Sequence, residues 1–193
     1  MEVGSRRELT GVTLLELLIA LAISGMLLVA GLPSYRHWLA STATSTLERQ
    51  YLSTLAFGRE TAVARRRMVS FCGSRSGKAC DGRWEEGALL FLDRDADARL
   101  DAEDEVLRVI TGQSDQVSVR WRSFRNKPYL QLTALGFTNN QSGSFTFCPL
   151  QLHPGAGRQL IVNSTGRTRW AQDLDGDGVV EDAEGKPLRC AAG

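Results

Sequence analysis

The 193-residue sequence predicts an α+β fold in which a long N-terminal helix packs on a C-terminal antiparallel β-domain. Three observations predict it. Residues 12–32 are an apolar run whose only charge is Glu16. Beyond it Leu39, Ala43, Leu47, Tyr51 and Leu55 recur every four residues, with Leu52 and Ala62 near the same face, so helical periodicity continues to about Arg66. After residue 67 the pattern changes to short apolar segments punctuated by Gly, Asn, Asp and Pro, which reads as strands.

The elements follow in order. At ~1.5 Å per residue the run 12–32 reaches about 32 Å, enough to cross a bilayer core of ~30 Å, so the helix is expected to be transmembrane to about residues 32–38. Arg6 and Arg7 precede it and stay cytoplasmic by the positive-inside rule, which sends the rest of the chain outward. Gly11 stands before the apolar run, whereas a secretory signal peptide carries its small-residue cleavage site after a shorter run. The helix is expected over 12–66. Strands are expected at 68–73, 84–92, 106–111, 117–123, 129–135, 144–148, 158–163 and 167–172, making 67–193 one β-rich globular domain with an Asp-rich tail.

An outward-facing domain lies where disulfides persist. Cys72, Cys80, Cys148 and Cys190 allow three pairings. Cys72 with Cys80 closes a short Gly/Ser-rich loop, and Cys148 with Cys190 pins the chain end, so this pairing is favoured. No Cys-x-x-Cys pair argues for metal.

Net charge is +1, but it is segregated. Residues 81–105 hold ten acids against three arginines, residues 106–170 eight basic residues against Asp115, and residues 173–184 six acids and no base. Such blocks suggest distinct surfaces, although solvated faces alone produce them.

Gly11, Val12, Thr13, Leu14, Leu15, Glu16, Leu17 and Leu18 resemble the cleavage and methylation motif of type IV prepilins and type II secretion pseudopilins. The resemblance implies that residues 1–11 are a leader, that a prepilin peptidase cuts after Gly11, that Val12 is N-methylated, and that Glu16 neutralises a neighbouring subunit's terminus during assembly. Val12 departs from the commonest residue there, phenylalanine. A carboxylate in lipid costs about 2.5–3.5 kcal/mol on insertion scales, so Glu16 needs such a partner. The pilin resemblance also implies a helix-on-sheet fold, other pilin or pseudopilin subunits as partners, no enzymatic activity and no required cofactor. It places the chain in the bacterial inner membrane, with its globular domain in the periplasm, and then in a pilus or pseudopilus.

The globular part looks most like the FimT/GspH group. That likeness rests on Val69, Phe71, Cys72, Gly73, Trp84, Gly87, Phe91, Asp93, Asp95, Asp97, the run Asp104 to Arg108, and Asn163 to Arg169. FimT-like minor pilins serve type IV pili, and some bind DNA during natural transformation through Gly-Arg-x-Arg. GspH-like pseudopilins belong to the type II secretion pseudopilus. Gly166, Arg167, Thr168 and Arg169 match that element. A three-residue hairpin loop ending at Gly166 would put Leu160, Val162, Thr168 and Trp170 on one face and Arg167 and Arg169 on the other. Two guanidiniums so held can fork onto phosphates without reading base sequence. The alternative is that both arginines pair with the acidic tail.

Asp173, Asp175, Asp177, Gly178 and Glu184 match D-x-D-x-D-G-x5-E, in which side chains one, three, five and twelve and the carbonyl of Val179 would bind Ca2+. A solvated Asp/Gly turn is the alternative. Asp93, Asp95, Asp97, Asp101 and Asp104 match more weakly because Ala98 replaces the glycine. Catalysis finds little support: the only histidines, His37 and His153, belong to no nucleophile motif.

Overall fold

A computed structural model describes residues 13–111, 116–150 and 154–190. Gly11, Val12 and His153 lie outside the described residues. The chain forms two compact units that divide between Trp38 and Leu39.

The first unit carries the start of helix α1, Leu14–Arg65. Thr13 caps it: its hydroxyl accepts the Glu16 N–H at 3.3 Å and its carbonyl the Leu17 N–H at 3.1 Å. Thr13 and Glu16 thus occupy the end positions of a Thr-x-x-Glu capping box. Leu14, Leu15, Leu17, Leu18 and Leu21 are exposed. Among the described residues no helix is long and apolar enough to cross a membrane.

In the second unit α1 presents the expected stripe. Leu47, Tyr51, Leu55 and Ala62 are buried in the core, with Ala43, Leu52 and Phe57 packed at its margin. The helix ends in a Schellman turn in which Arg67 N–H reaches Ala62 O, Arg66 N–H reaches Val63 O, and Arg66 takes φ +53.

Eight strands follow: β1 (Met68–Gly73), β2 (Ala88–Asp93), β3 (Glu105–Ile110), β4 (Val117–Ser123), β5 (Tyr129–Leu132), β6 (Gly143–Pro149), β7 (Arg158–Val162) and β8 (Thr168–Trp170). Each matches an expected segment in position. They form two four-stranded sheets rather than one, ordered β3-β2-β1-β5 and β4-β6-β7-β8, antiparallel throughout. Residues 84–87, expected as strand, are a turn; Trp84 is buried from there, its indole N–H donating to Pro128 O at 3.0 Å.

Tyr51 joins the three layers. Its ring meets Phe71 of β1 at 5.6 Å and Phe145 and Phe147 of β6 at 5.3 Å, all edge-on. Truncating such a buried aromatic costs about 3–5 kcal/mol, so Tyr51→Ala would weaken the packing of the helix on both sheets. Disulfides Cys72–Cys80 and Cys148–Cys190 close the β1 loop and the chain end. The second spans 42 residues, a loop for which chain entropy gives about 4 kcal/mol.

Candidate nucleic-acid interface and acidic loops

β7 and β8 form a hairpin in the register Leu160↔Trp170, Ile161↔Arg169, Val162↔Thr168. Side chains alternate across a strand, so Leu160 and Val162 enter the core with Trp170 against them, while Arg167 and Arg169 stay exposed on the other side. The turn is tied by Asn163, whose Oδ1 accepts from Thr165 N–H, the Thr165 hydroxyl and Arg167 N–H. Gly166 takes φ +72, and a Cβ there would stand 2.2 Å from Gly136 O, so only glycine fits. The same carbonyl accepts Arg59 Nε at 2.9 Å, and Thr138 donates its N–H and hydroxyl to Ser164 O. The tip is therefore tied to the body by hydrogen bonds at Ser164 O, and Gly166 packs closely against Gly136.

Among the described residues neither Arg167 nor Arg169 forms an ion pair. The acidic tail does not neutralise them; its Glu184 pairs with Lys186 at 3.3 Å. Arg169 lines an open groove with Arg122, Arg125, Phe124 and Ser144, which also holds Glu184. A second recess shares Arg122 and Ser144 and adds Arg120, Lys186 and Arg189. The register explains the row: Arg122 opposes Ser144, Ser144 opposes Ile161, and Ile161 opposes Arg169. At ~4.8 Å per strand step, Arg122 and Arg169 stand about 14 Å apart on one sheet face.

Arg120 and Arg122 were not singled out by sequence, though Arg-Trp-Arg in β4 has the same two-residue spacing as Arg167 and Arg169. Other basic residues are engaged elsewhere. Arg158 faces Glu48 at 3.7 Å and lies over Trp170, and Lys127 lies over Tyr129. Burial pushes the Glu48 carboxyl up, against the pull of Arg158 and Arg49.

Asp173, Asp175, Asp177 and Glu181 each bring one carboxylate oxygen within 4.8 Å of the others. Glu181 belongs to this cluster and Glu184, expected from the sequence, does not. The chain reverses directly after Glu181, with Asp182 N–H bonded to Lys186 O and Gly185 N–H to Asp182 O, which sends Glu184 towards Lys186. Val179 supports the loop through its N–H, which donates to Asp177 Oδ1 at 2.7 Å. Glu181 is 8% exposed; its Oε2 accepts Leu174 N–H at 2.6 Å, and its Oε1 is buried without a partner. The N–H groups of Gly178 and Gly176 hold the Asp173 carboxyl below its usual range.

Asp93, Asp95 and Asp97 form a second such cluster. The Asp97 N–H pulls the Asp95 carboxyl down, but desolvation and the charges of Asp97, Asp101 and Asp93 outweigh it and leave Asp95 above its usual range.

A helix feeding two antiparallel sheets in this order is a pilin-type fold. The crystal structure of the type IV minor pilin FimU from Pseudomonas aeruginosa PAO1 in space group P21 shares the fold, with TM-score 0.51 and 21% identity over 78% of this chain and 94% of that one. The P65 crystal form of FimU gives TM-score 0.48 and 21% identity over 68% and 92%. No curated protein matches the sequence significantly. The family profile described as Type II transport protein GspH matches residues 49–166, and the chain belongs to that family. It is accordingly a GspH-type member of the pilin and pseudopilin class, a structural protein rather than an enzyme. Membership implies an inner-membrane prepilin, a prepilin peptidase and other pilin subunits as partners, and no required cofactor.

Proposed function

We propose that this protein is a FimT-like minor pilin of a type IV pilus that binds DNA non-specifically during natural transformation. In this reading it is cut between Gly11 and Val12, spans the inner membrane through residues 12–32, and enters the filament with Glu16 against a neighbour's terminus. Arg167 and Arg169 are the phosphate contacts, and Gly166 lets their hairpin close. The observation that carries the reading is the fixed hairpin with two arginines that no acid of the described residues neutralises. Arg169 lies beside Arg122 and Arg125 in one groove, a grouping that suits a polyanion.

The test is fluorescence anisotropy with labelled duplexes of unrelated sequence, comparing the 39–193 unit with its Arg167→Ala/Arg169→Ala form, folding checked by circular dichroism. Binding of every duplex, reduced at least tenfold in the folded variant, is expected. Equal binding by the two proteins, or none by the wild type, would leave a GspH-like pseudopilin or structural minor pilin that primes or caps a filament without DNA, the reading the family description favours.

A divalent cation in the 173–184 loop is part of the proposal. The buried, partnerless Glu181 Oε1 beside three aspartates supports Ca2+ held by Asp173, Asp175, Asp177 and Glu181.

A further inference from the structure

We infer that the β2–β3 loop holds a second, independent Ca2+ between Asp93, Asp95 and Asp97. Each offers one carboxylate oxygen, all within 4.8 Å of one another. Three acids in an exposed loop are not a site by themselves; what makes them one is Asp93. It is fully buried at the end of β2, and its two oxygens fare differently. Oδ2 accepts the Ser70 hydroxyl, Ala98 N–H at 3.0 Å and Gln131 Nε2 at 3.1 Å. Oδ1 is buried and has no partner.

A buried carboxylate with a vacant lone pair is costly unless a donor or cation reaches it. No arginine or lysine of the described residues pairs with Asp93, although Arg94 and Arg99 are near in sequence. The groups that do approach are Asp95 and Asp97, which make matters worse without a positive charge among them. All-oxygen ligands select a hard cation, and their irregular arrangement on a loop fits Ca2+ better than Mg2+, which demands stricter octahedral geometry. The backbone is already bent as a one-three-five loop requires. Ala98 takes φ +63 at the sixth position, where glycine is usual, and Ala96 takes φ +65.

The site is separate from the 173–181 cluster, so it is tested with that cluster disabled. The chelator-treated full-length chain carrying Asp173→Asn/Asp175→Asn is titrated with CaCl2 and, separately, MgCl2 by calorimetry, alongside the same chain with Asp95→Asn/Asp97→Asn added. Asp95 and Asp97 are exposed, so their substitution spares the core; Asp93, which anchors the sheet, is left intact. The expected result is one Ca2+ bound with Kd of about 0.1–1 mM, tenfold weaker Mg2+ binding, and at least tenfold weaker Ca2+ binding once Asp95 and Asp97 are changed. No Ca2+ binding in the first variant, or equal binding in the second, would overturn the inference. The reciprocal chain, with only Asp95→Asn/Asp97→Asn, reports on the 173–181 loop alone, so failure of one site is not mistaken for failure of the other.

Discussion

The loops at 93–104 and 173–184 share a one-three-five spacing of aspartates, yet they bury their carboxylates at opposite ends. In the first the buried acid is Asp93, the opening residue, which the sheet grips through Ser70 and Gln131. In the second the opening residue Asp173 is exposed and bonded only to its own loop, through Gly176 and Gly178 N–H, while the buried acid is Glu181 near the close. Strand geometry decides this: Asp93 ends β2 inside a sheet, whereas residues 171–173 have already left β8. One loop is therefore tied to the core through a side chain, and the other is shaped by glycines and its own backbone.

The largest separation expected is on stability without metal. Asp93→Ala removes three hydrogen bonds and strands their donors, a loss of about 3 kcal/mol or more in urea denaturation, while Asp173→Ala costs about 1 kcal/mol or less. Equal losses would mean that both loops are anchored alike. Calcium comes next. At tenfold excess over its Kd one bound ion adds about 1.4 kcal/mol, read as a rise in Tm, and Glu181→Gln should remove the share belonging to the second loop alone. A full calcium response in that variant would place Glu181 outside the ion's reach.

Backbone strain gives a smaller contrast. Gly178 takes φ +88, so Gly178→Ala should cost about 1 kcal/mol. Ala98→Gly should be near neutral in denaturant melts, because relief of a left-handed alanine is offset by loss of a buried methyl worth about 0.8 kcal/mol. A strongly stabilising Ala98→Gly would show that the methyl packs poorly. The finest contrast is in titration of the metal-free protein. Asp173 should protonate below the ordinary aspartate range and Asp95 above it, in carboxyl-detected NMR. The signs follow from linkage: Asp173's contribution to stability is present above its unfolded pKa and lost as pH falls through the folded value, whereas Asp95's is present at low pH and lost as pH rises through its raised value.

These contrasts mark what a sequence can carry. The stripe from Ala43 to Ala62 was legible because helical period and burial coincide along one element. The eight strand positions were legible because turn residues interrupt them. Their division into two sheets was not, since pairing β1 with β5 across the intervening β4 is a non-local choice that no local pattern encodes. Trp84 was read as strand because an apolar residue fits that pattern equally well when it covers the core from a turn. Glu184 matched the ligand spacing, but the reversal at Asp182 to Lys186 turns it towards Lys186, and Glu181 stands with the three aspartates. The hairpin of Arg167 and Arg169 could be read from Asn163 and Gly166 alone, whereas the row joining Arg122 to Arg169 depends on three strand registers.

The most direct test of the account is the salt dependence of DNA binding by the 39–193 unit. Two to four phosphate contacts predict that log K falls linearly with log salt at a slope of about −2 to −4, identical for unrelated sequences and shallower by about two in Arg167→Ala/Arg169→Ala. A slope near zero, or one the double variant leaves unchanged, would contradict phosphate contact through the hairpin.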